Sequence, residues 1–205
     1  MRTNCILGNM TNKELYREFC QTNGDLPLFM TDWWMDAVCA GKQWDVLLSL
    51  DENGNIQAVL PYLLRERVWM KYIVMPQQTQ IGGIWINENL KLHTSKIAEI
   101  CQDFARQLAD LGLSYYYQHY PINSDAIEPM RELGFKTKER ITYRIEDLTN
   151  LDAVIQSFSK NKKRQLQKAL ALHADTSMNI EEFYRFHTQC LQAQGKQISY
   201  SREFL

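Results

Sequence analysis

Residues 68–120 read VWMKYIVMPQQTQIGGIWINENLKLHTSKIAEICQDFARQLADLGLSYYYQHY. The order is a strand at 68–75, a polar Gln/Gly loop, a short apolar run, a long amphipathic helix and a second strand. The helix is the clearest element of the chain. Ile97, Ile100, Cys101, Phe104, Leu108 and Leu111 recur at helical spacing, with Lys96, Glu99, Gln102, Asp103, Arg106 and Gln107 on the other faces. Thr94 or Ser95 is placed to cap its first turn, and Gly112 to stop it. Residues 113–118, rich in tyrosine, suit a strand. A strand, a crossover helix and another strand predict a parallel pair, and such units bind ligands where the strand ends part.

Toward the N-terminus, Thr11 and Glu14 have capping-box spacing, with Met10 and Leu15 placed as a hydrophobic staple. Leu15 and Phe19 form the expected buried side of this first helix, which Asn23-Gly24 ends. Thr31 or Asp32 caps a second helix holding Trp33, Trp34, Ala37 and Val38 and closed by Gly41; paired tryptophans of this kind usually anchor a core. From Trp44 the period changes to that of strands. Residues 44–50, the turn Asp51-Glu52-Asn53-Gly54 and residues 56–64 predict a hairpin. Pro61 points to an edge or a bulge. Arg65-Glu66-Arg67 has the look of a second turn, making strand 68–75 the third of an antiparallel meander.

On the C-terminal side, Ser124 or Asp125 starts a short helix that passes Met130 and Leu133 and ends at Gly134. Phe135 and an alternating stretch at 136–145 then read as another strand. Asp147 to Asp152 is a polar joint and an expected domain boundary. In the next helix, from Ser159 to Leu170, Lys160, Arg164 and Lys168 recur every fourth residue, with Leu166, Ala169 and Leu170 facing the other way. No acid stands between Asp152 and Asp175. A final helix near 180–194 is expected to bury Phe183, Phe186 and Leu191. The closing Ser201-Arg202-Glu203-Phe204-Leu205 resembles a further first turn with nothing to pack on.

A chain of 205 residues suggests one domain with part of a second, and a net charge of -1 argues against binding nucleic acid over its whole surface. No apolar run approaches the roughly 18 residues of a membrane span. The N-terminal residues lack the apolar core of a secretion signal. Five scattered cysteines without C-x-x-C spacing point to a reducing, cytoplasmic setting with neither a disulfide framework nor a zinc site. The four histidines are equally dispersed, and no metal is expected.

Two helices, a three-strand meander, a long helix, a strand, a short helix ending Leu133-Gly134-Phe135 and a last strand resemble the GNAT acyltransferase fold, an α/β architecture with a mixed sheet. Met130-Arg131-Glu132-Leu133-Gly134-Phe135 is similar to that family's short-helix signature ending in Gly-Phe. The basic helix, Ser159 to Ala169, is similar to that of the bacterial-type FemAB-like branch, where two GNAT-like domains occur in tandem. The resemblance covers about residues 11–194. It implies a GNAT-like domain at 1–148, followed at 149–205 by the basic helix and the start of a second, incomplete GNAT-like domain. It also implies an acyl- or aminoacyl-transferase drawing on acyl-CoA or aminoacyl-tRNA and acting on an amine of a small molecule or a peptide precursor.

Three groups of residues are candidates for the chemistry. Gln77, Gln78, Thr79, Gln80, Gly82 and Gly83 form an uncharged, donor-rich loop after a strand, able to hold an amide-bearing substrate or to serve as a wide turn with a bulge. His119 stands at the end of the predicted parallel strand and can take a proton from an attacking amine. The plainer account of it is a histidine bonded to backbone. Its neighbours Tyr117 and Tyr120 are candidate acids or orienters, or packing residues. Lys160, Lys163, Arg164 and Lys168 form either a solvated face or a site for a phosphate-rich partner such as tRNA. Two rival functions stand beside aminoacyl transfer: acetyl-CoA-dependent N-acetylation, and a non-catalytic RNA- or partner-binding module built on the basic helix.

Overall fold

The computed structural model describes residues 10–39, 44–90, 93–173 and 176–204. They divide into two compact units, one ending at Thr137 and one running from Lys138 to Glu203. The predicted Gly41 stop lies outside the described residues.

The first unit is built on an open mixed sheet. β1 (Trp44–Leu50) and β2 (Ile56–Arg67) form the predicted antiparallel hairpin. Asp51 fixes its turn, its carboxylate accepting from the Asn53 and Asn55 amides at 2.9 and 2.8 Å. β3 (Met70–Val74) pairs antiparallel with the end of β2, from Leu63 opposite Val74 to Arg67 opposite Met70. The turn therefore lies at Val68-Trp69 and not at 65–67 as the sequence suggested. Arg65 and Glu66 instead face Tyr72 and Lys71 across the ladder, and Glu66 pairs with Lys71 at 3.8 Å. Charged residues resemble a turn in sequence but serve equally well as exposed cross-strand partners.

β4 (Trp85–Ile86) returns to β2 at Ala58 and Val59. β5 (Tyr115–Tyr116) runs parallel to β3, Tyr72 opposite Tyr115 and Ile73 opposite Tyr116. The predicted crossover is present, with α3 (Thr94–Asp110) between these strands. The order along the sheet is β1-β2-β3-β5, with β4 beside β2. β5 is shorter than predicted, although the Tyr117 amide still donates to the Ile73 carbonyl at 3.0 Å.

Pro61 corrects a second expectation, since it sits in β2, which has partners on both edges. The N–H and C=O of one strand residue face the same neighbour. The Pro61 carbonyl accepts from Gln118 Nε2 at 3.0 Å, on the edge away from β1, so its missing N–H removes no β1–β2 bond. β3 begins pairing at Leu63 and β4 ends at Val59, so proline faces the gap between them. The bulge is elsewhere, at Ser49/Leu50.

Helices cover both faces. α1 (Asn12–Thr22) and α2 (Asp32–Cys39) close one core, where Tyr16, Met30, Met35 and Cys39 meet Trp44, Val46, Leu48, Val59 and Leu63. α1 opens on the predicted Thr11/Glu14 capping box. Its most buried residue is Tyr16, with Leu15 and Phe19 only half-buried; the Tyr16 hydroxyl donates to the Met30 carbonyl. Burial raises the Tyr16 pKa far above its usual range. Arg17 and Trp44 both donate to Asp36 at 2.8 Å, and these bonds, Arg17 first, hold its carboxyl below the usual range. The paired tryptophans are not both core anchors. Met35 and Cys39, one helical turn apart, take the inward face of α2, and Trp33 is 56 % exposed.

On the opposite face α3 and α4 (Ile127–Glu132) pack on Leu47, Leu60, Tyr62, Ile73 and Ile86. Ile97, Ile100, Cys101, Phe104 and Leu108 are buried as predicted. Neither Thr94 nor Ser95 caps α3; both lie in its first turn, and the N-cap is His93 without a side-chain bond. α4 begins after Ala126, later than Ser124 or Asp125, and ends as predicted, the Phe135 amide donating to the Met130 carbonyl at 3.1 Å.

The predicted strand at 136–145 does not form. That stretch makes no ladder with the described residues, and Ile141 and Tyr143 are 88 % and 95 % exposed. Alternation suits a strand, but only a neighbouring edge turns it into one. In the second unit, α5 (Leu151–Ser157), α6 (Lys160–Ala169) and α7 (Ile180–Ala193) follow. Ser159 caps α6, and Asn179 with Glu182 forms a capping box on α7. Phe183 and Phe186, expected to be buried, are exposed, while Leu191 is half-buried. α7 instead meets Tyr200 through a polar contact, His187 Nδ1 lying 2.6 Å from its hydroxyl, and through the edge-on Tyr184 ring.

Candidate functional site

The β3/β5 ladder ends at Ile73 and Tyr116. Beyond it the loop at 75–83 and residues 117–120 bond directly to one another. Several of the predicted residues meet here. The Gly82 amide donates to the His119 carbonyl at 2.7 Å, and the Gly83 amide to Gln118 Oε1 at 2.5 Å. Thr79 is buried and accepts from Trp34 Nε1 at 3.1 Å, tying α2 to the loop. Gln77, Gln78 and Gln80 are exposed, Gln78 at a positive φ.

Both glycines are set by close approach. A Cβ on Gly82 would lie 2.9 Å from Gln118 Oε1; one on Gly83, at φ +86°, would lie 2.8 Å from the Tyr120 ring. The loop therefore closes on residues 118 and 120 only because position 82 and position 83 carry no side chain.

His119 is held at both ring nitrogens. Nδ1 lies 3.2 Å from the Gln80 carbonyl and Nε2 2.8 Å from the Tyr117 hydroxyl. A carbonyl only accepts, so Nδ1 carries the proton in the neutral ring, leaving Nε2 to accept from Tyr117. Backbone bonding and a place in a proton path are thus compatible in one residue. Tyr120 is arranged differently. Its hydroxyl pairs with that of Tyr116 at 3.0 Å, and burial raises both phenols well above their usual range, so Tyr120 keeps its proton.

Gln118 was not singled out from the sequence, where it is one polar residue at a strand end. Its carboxamide joins the Pro61 carbonyl to the Gly83 amide, filling the gap between β3 and β4. With Met30, Met35, Met75, Thr79 and Gly82 it also lines a small cleft of about 10 Å³. That is far below the roughly 300–1,000 Å³ of small-molecule pockets and about the room that one water molecule needs. The one available signal was proline in a central strand, which demands a foreign donor beside it. Replacing Gln118 by leucine leaves one amide and one carbonyl unpaired. The expected loss is about 1–3 kcal/mol of stability, read from the urea midpoint at unchanged slope.

In the second unit, Lys160, Lys163, Arg164 and Lys168 are all exposed along α6, with Arg164 donating to Asn161 at 3.2 Å. Among the described residues no group of three His, Cys, Asp or Glu side chains is placed to hold a metal ion.

No family model matches this chain, and no curated protein matches it. Solved structures similar to it include a putative acetyl transferase from Pyrococcus furiosus, 14 % identical with a TM-score of 0.34, covering 65 % of this chain and 91 % of that one. An aminoglycoside antibiotic 6′-N-acetyltransferase from Acinetobacter baumannii is 12 % identical with a TM-score of 0.37, covering 68 % and 95 %. A mutant BH1408 protein from Bacillus halodurans is 15 % identical with a TM-score of 0.34, covering 65 % and 87 %. Likeness at these scores carries no argument about chemistry. The site's own geometry has to supply it.

Proposed function

We propose that the chain is an acyltransferase that moves an acyl or aminoacyl group from an activated ester or thioester to an amine. The observation that carries this reading is the His119–Tyr117 pair just beyond the end of the β3/β5 ladder, in the same segment whose Gln118 side chain holds the Gly83 amide. A substrate carbonyl displaces Gln118 Oε1 and accepts from the Gly83 amide, which then stabilises the oxyanion that forms. The attacking amine gives its proton to the Tyr117 oxygen as the Tyr117 hydrogen passes to His119 Nε2. The resulting imidazolium keeps its Nδ1–H on the Gln80 carbonyl. Collapse expels the thiolate or alkoxide, which takes the proton back through the same path. Positioning supplies the rest of the acceleration, with no covalent enzyme intermediate.

The donor is acyl-CoA or aminoacyl-tRNA; in the second unit, taken by itself, the exposed cations of α6 suit a phosphate-rich partner. The Gly82 and Gly83 amides are engaged by residues 118 and 119. Calorimetry with acetyl-CoA and with an aminoacyl-tRNA tests the proposal. Saturable binding of one of them, with transfer to an amine slowed by Tyr117→Phe, is the expected result. Binding of any RNA with steep salt dependence, unaffected by that change and without transfer to amines, would favour a non-catalytic module instead.

A further inference from the structure

The hairpin joining β2 to β3 ends in a turn that packing does not explain. Val68 holds φ +58°, a conformation that a β-branched side chain adopts only at a cost, at the first of two turn residues, where glycine is favoured. Nothing covers that side chain in return: Val68 is 90 % exposed, Trp69 82 %, and Met70 is exposed beside them. Arg65, Arg67 and Lys71 flank the tip against a single acid, Glu66, so a locally positive collar surrounds an apolar point on a chain of net charge -1. The ladder from Leu63/Val74 to Arg67/Met70 runs right up to the turn and fixes its direction.

A convex point two residues wide offers far less than the roughly 800 Å² per partner of a stable protein interface. It does suit the boundary of a bilayer, where tryptophan settles at headgroup level and basic residues are drawn to anionic lipid. We propose that this hairpin tip is a contact site for an anionic membrane surface, with Val68 and Trp69 entering the interface and Arg65 and Arg67 lying against the headgroup phosphates. No helix among the described residues is long and apolar enough to cross a membrane. The contact is independent of acyl transfer and stands or falls separately from it.

Sedimentation of the full 205-residue chain with vesicles tests it. Vesicles of phosphatidylcholine with about 30 mol % phosphatidylglycerol are expected to carry the protein down, and pure phosphatidylcholine is not. Trp69→Ser should weaken partitioning at least about tenfold, and Arg67→Gln about fivefold at low salt, with the latter effect shrinking as salt rises. Thermal melts of both variants confirm that the fold is retained. Equal sedimentation of wild type and Trp69→Ser, no sedimentation with anionic vesicles, or equal binding to both lipid compositions would each overturn the proposal.

Discussion

Replacing His119 by alanine is expected to lower the acyl-transfer rate by about a hundred- to ten-thousand-fold with little change in stability. The ring accepts from the Tyr117 hydroxyl at Nε2 and donates to the Gln80 carbonyl at Nδ1, so its loss removes the terminal base and leaves Tyr117 unpolarised by it. Tyr117→Phe interrupts the same path one atom earlier. The two changes should therefore not add: the double variant is expected to be about as slow as the worse single one, as for residues acting as one unit. Single-turnover rates at saturating donor make this measurement, and binding of the donor should be nearly unaffected by His119→Ala.

The second large effect concerns stability. Phe104→Ala should cost about 3–5 kcal/mol, seen as a lowered denaturant midpoint at unchanged slope. Phe104 is completely buried in the core between α3 and the sheet, with Ile73, Ile100 and Cys101. α3 is also the connection that returns the chain parallel to β3, so a cavity beneath it loosens the element that positions β5 and, through it, residues 117–119. Loss of activity in this variant should follow the unfolded fraction, unlike that of His119→Ala.

How far the sequence disclosed this arrangement depended on whether the needed information was local. The α3 stripe carries its own period, and the Thr11/Glu14 cap and the Asp51 turn close within four residues; all three were legible. The parallel β3/β5 pair followed from the length and character of what lies between its strands. Features that depend on a distant partner were not legible. Residues 136–145 alternate correctly and still form no strand, and Trp33 is exposed because Met35 and Cys39 already fill the inward face of α2. At the site, His119 and the two glycines stood out by residue type. Gln118 did not, because its importance comes from Pro61 and Gly83, 57 and 35 residues away.

The central claim is that the parting of β3 and β5 receives the reacting carbonyl at the Gly83 amide. Glycine labelling with nitrogen-15 reduces the amide spectrum to nine residues, two of them in this loop. Titration with the donor that binds should shift the Gly83 signal saturably, together with Gly82, while Gly54 and Gly112 stay still. Saturation of binding with the Gly82 and Gly83 signals unmoved would place the carbonyl elsewhere and contradict the account.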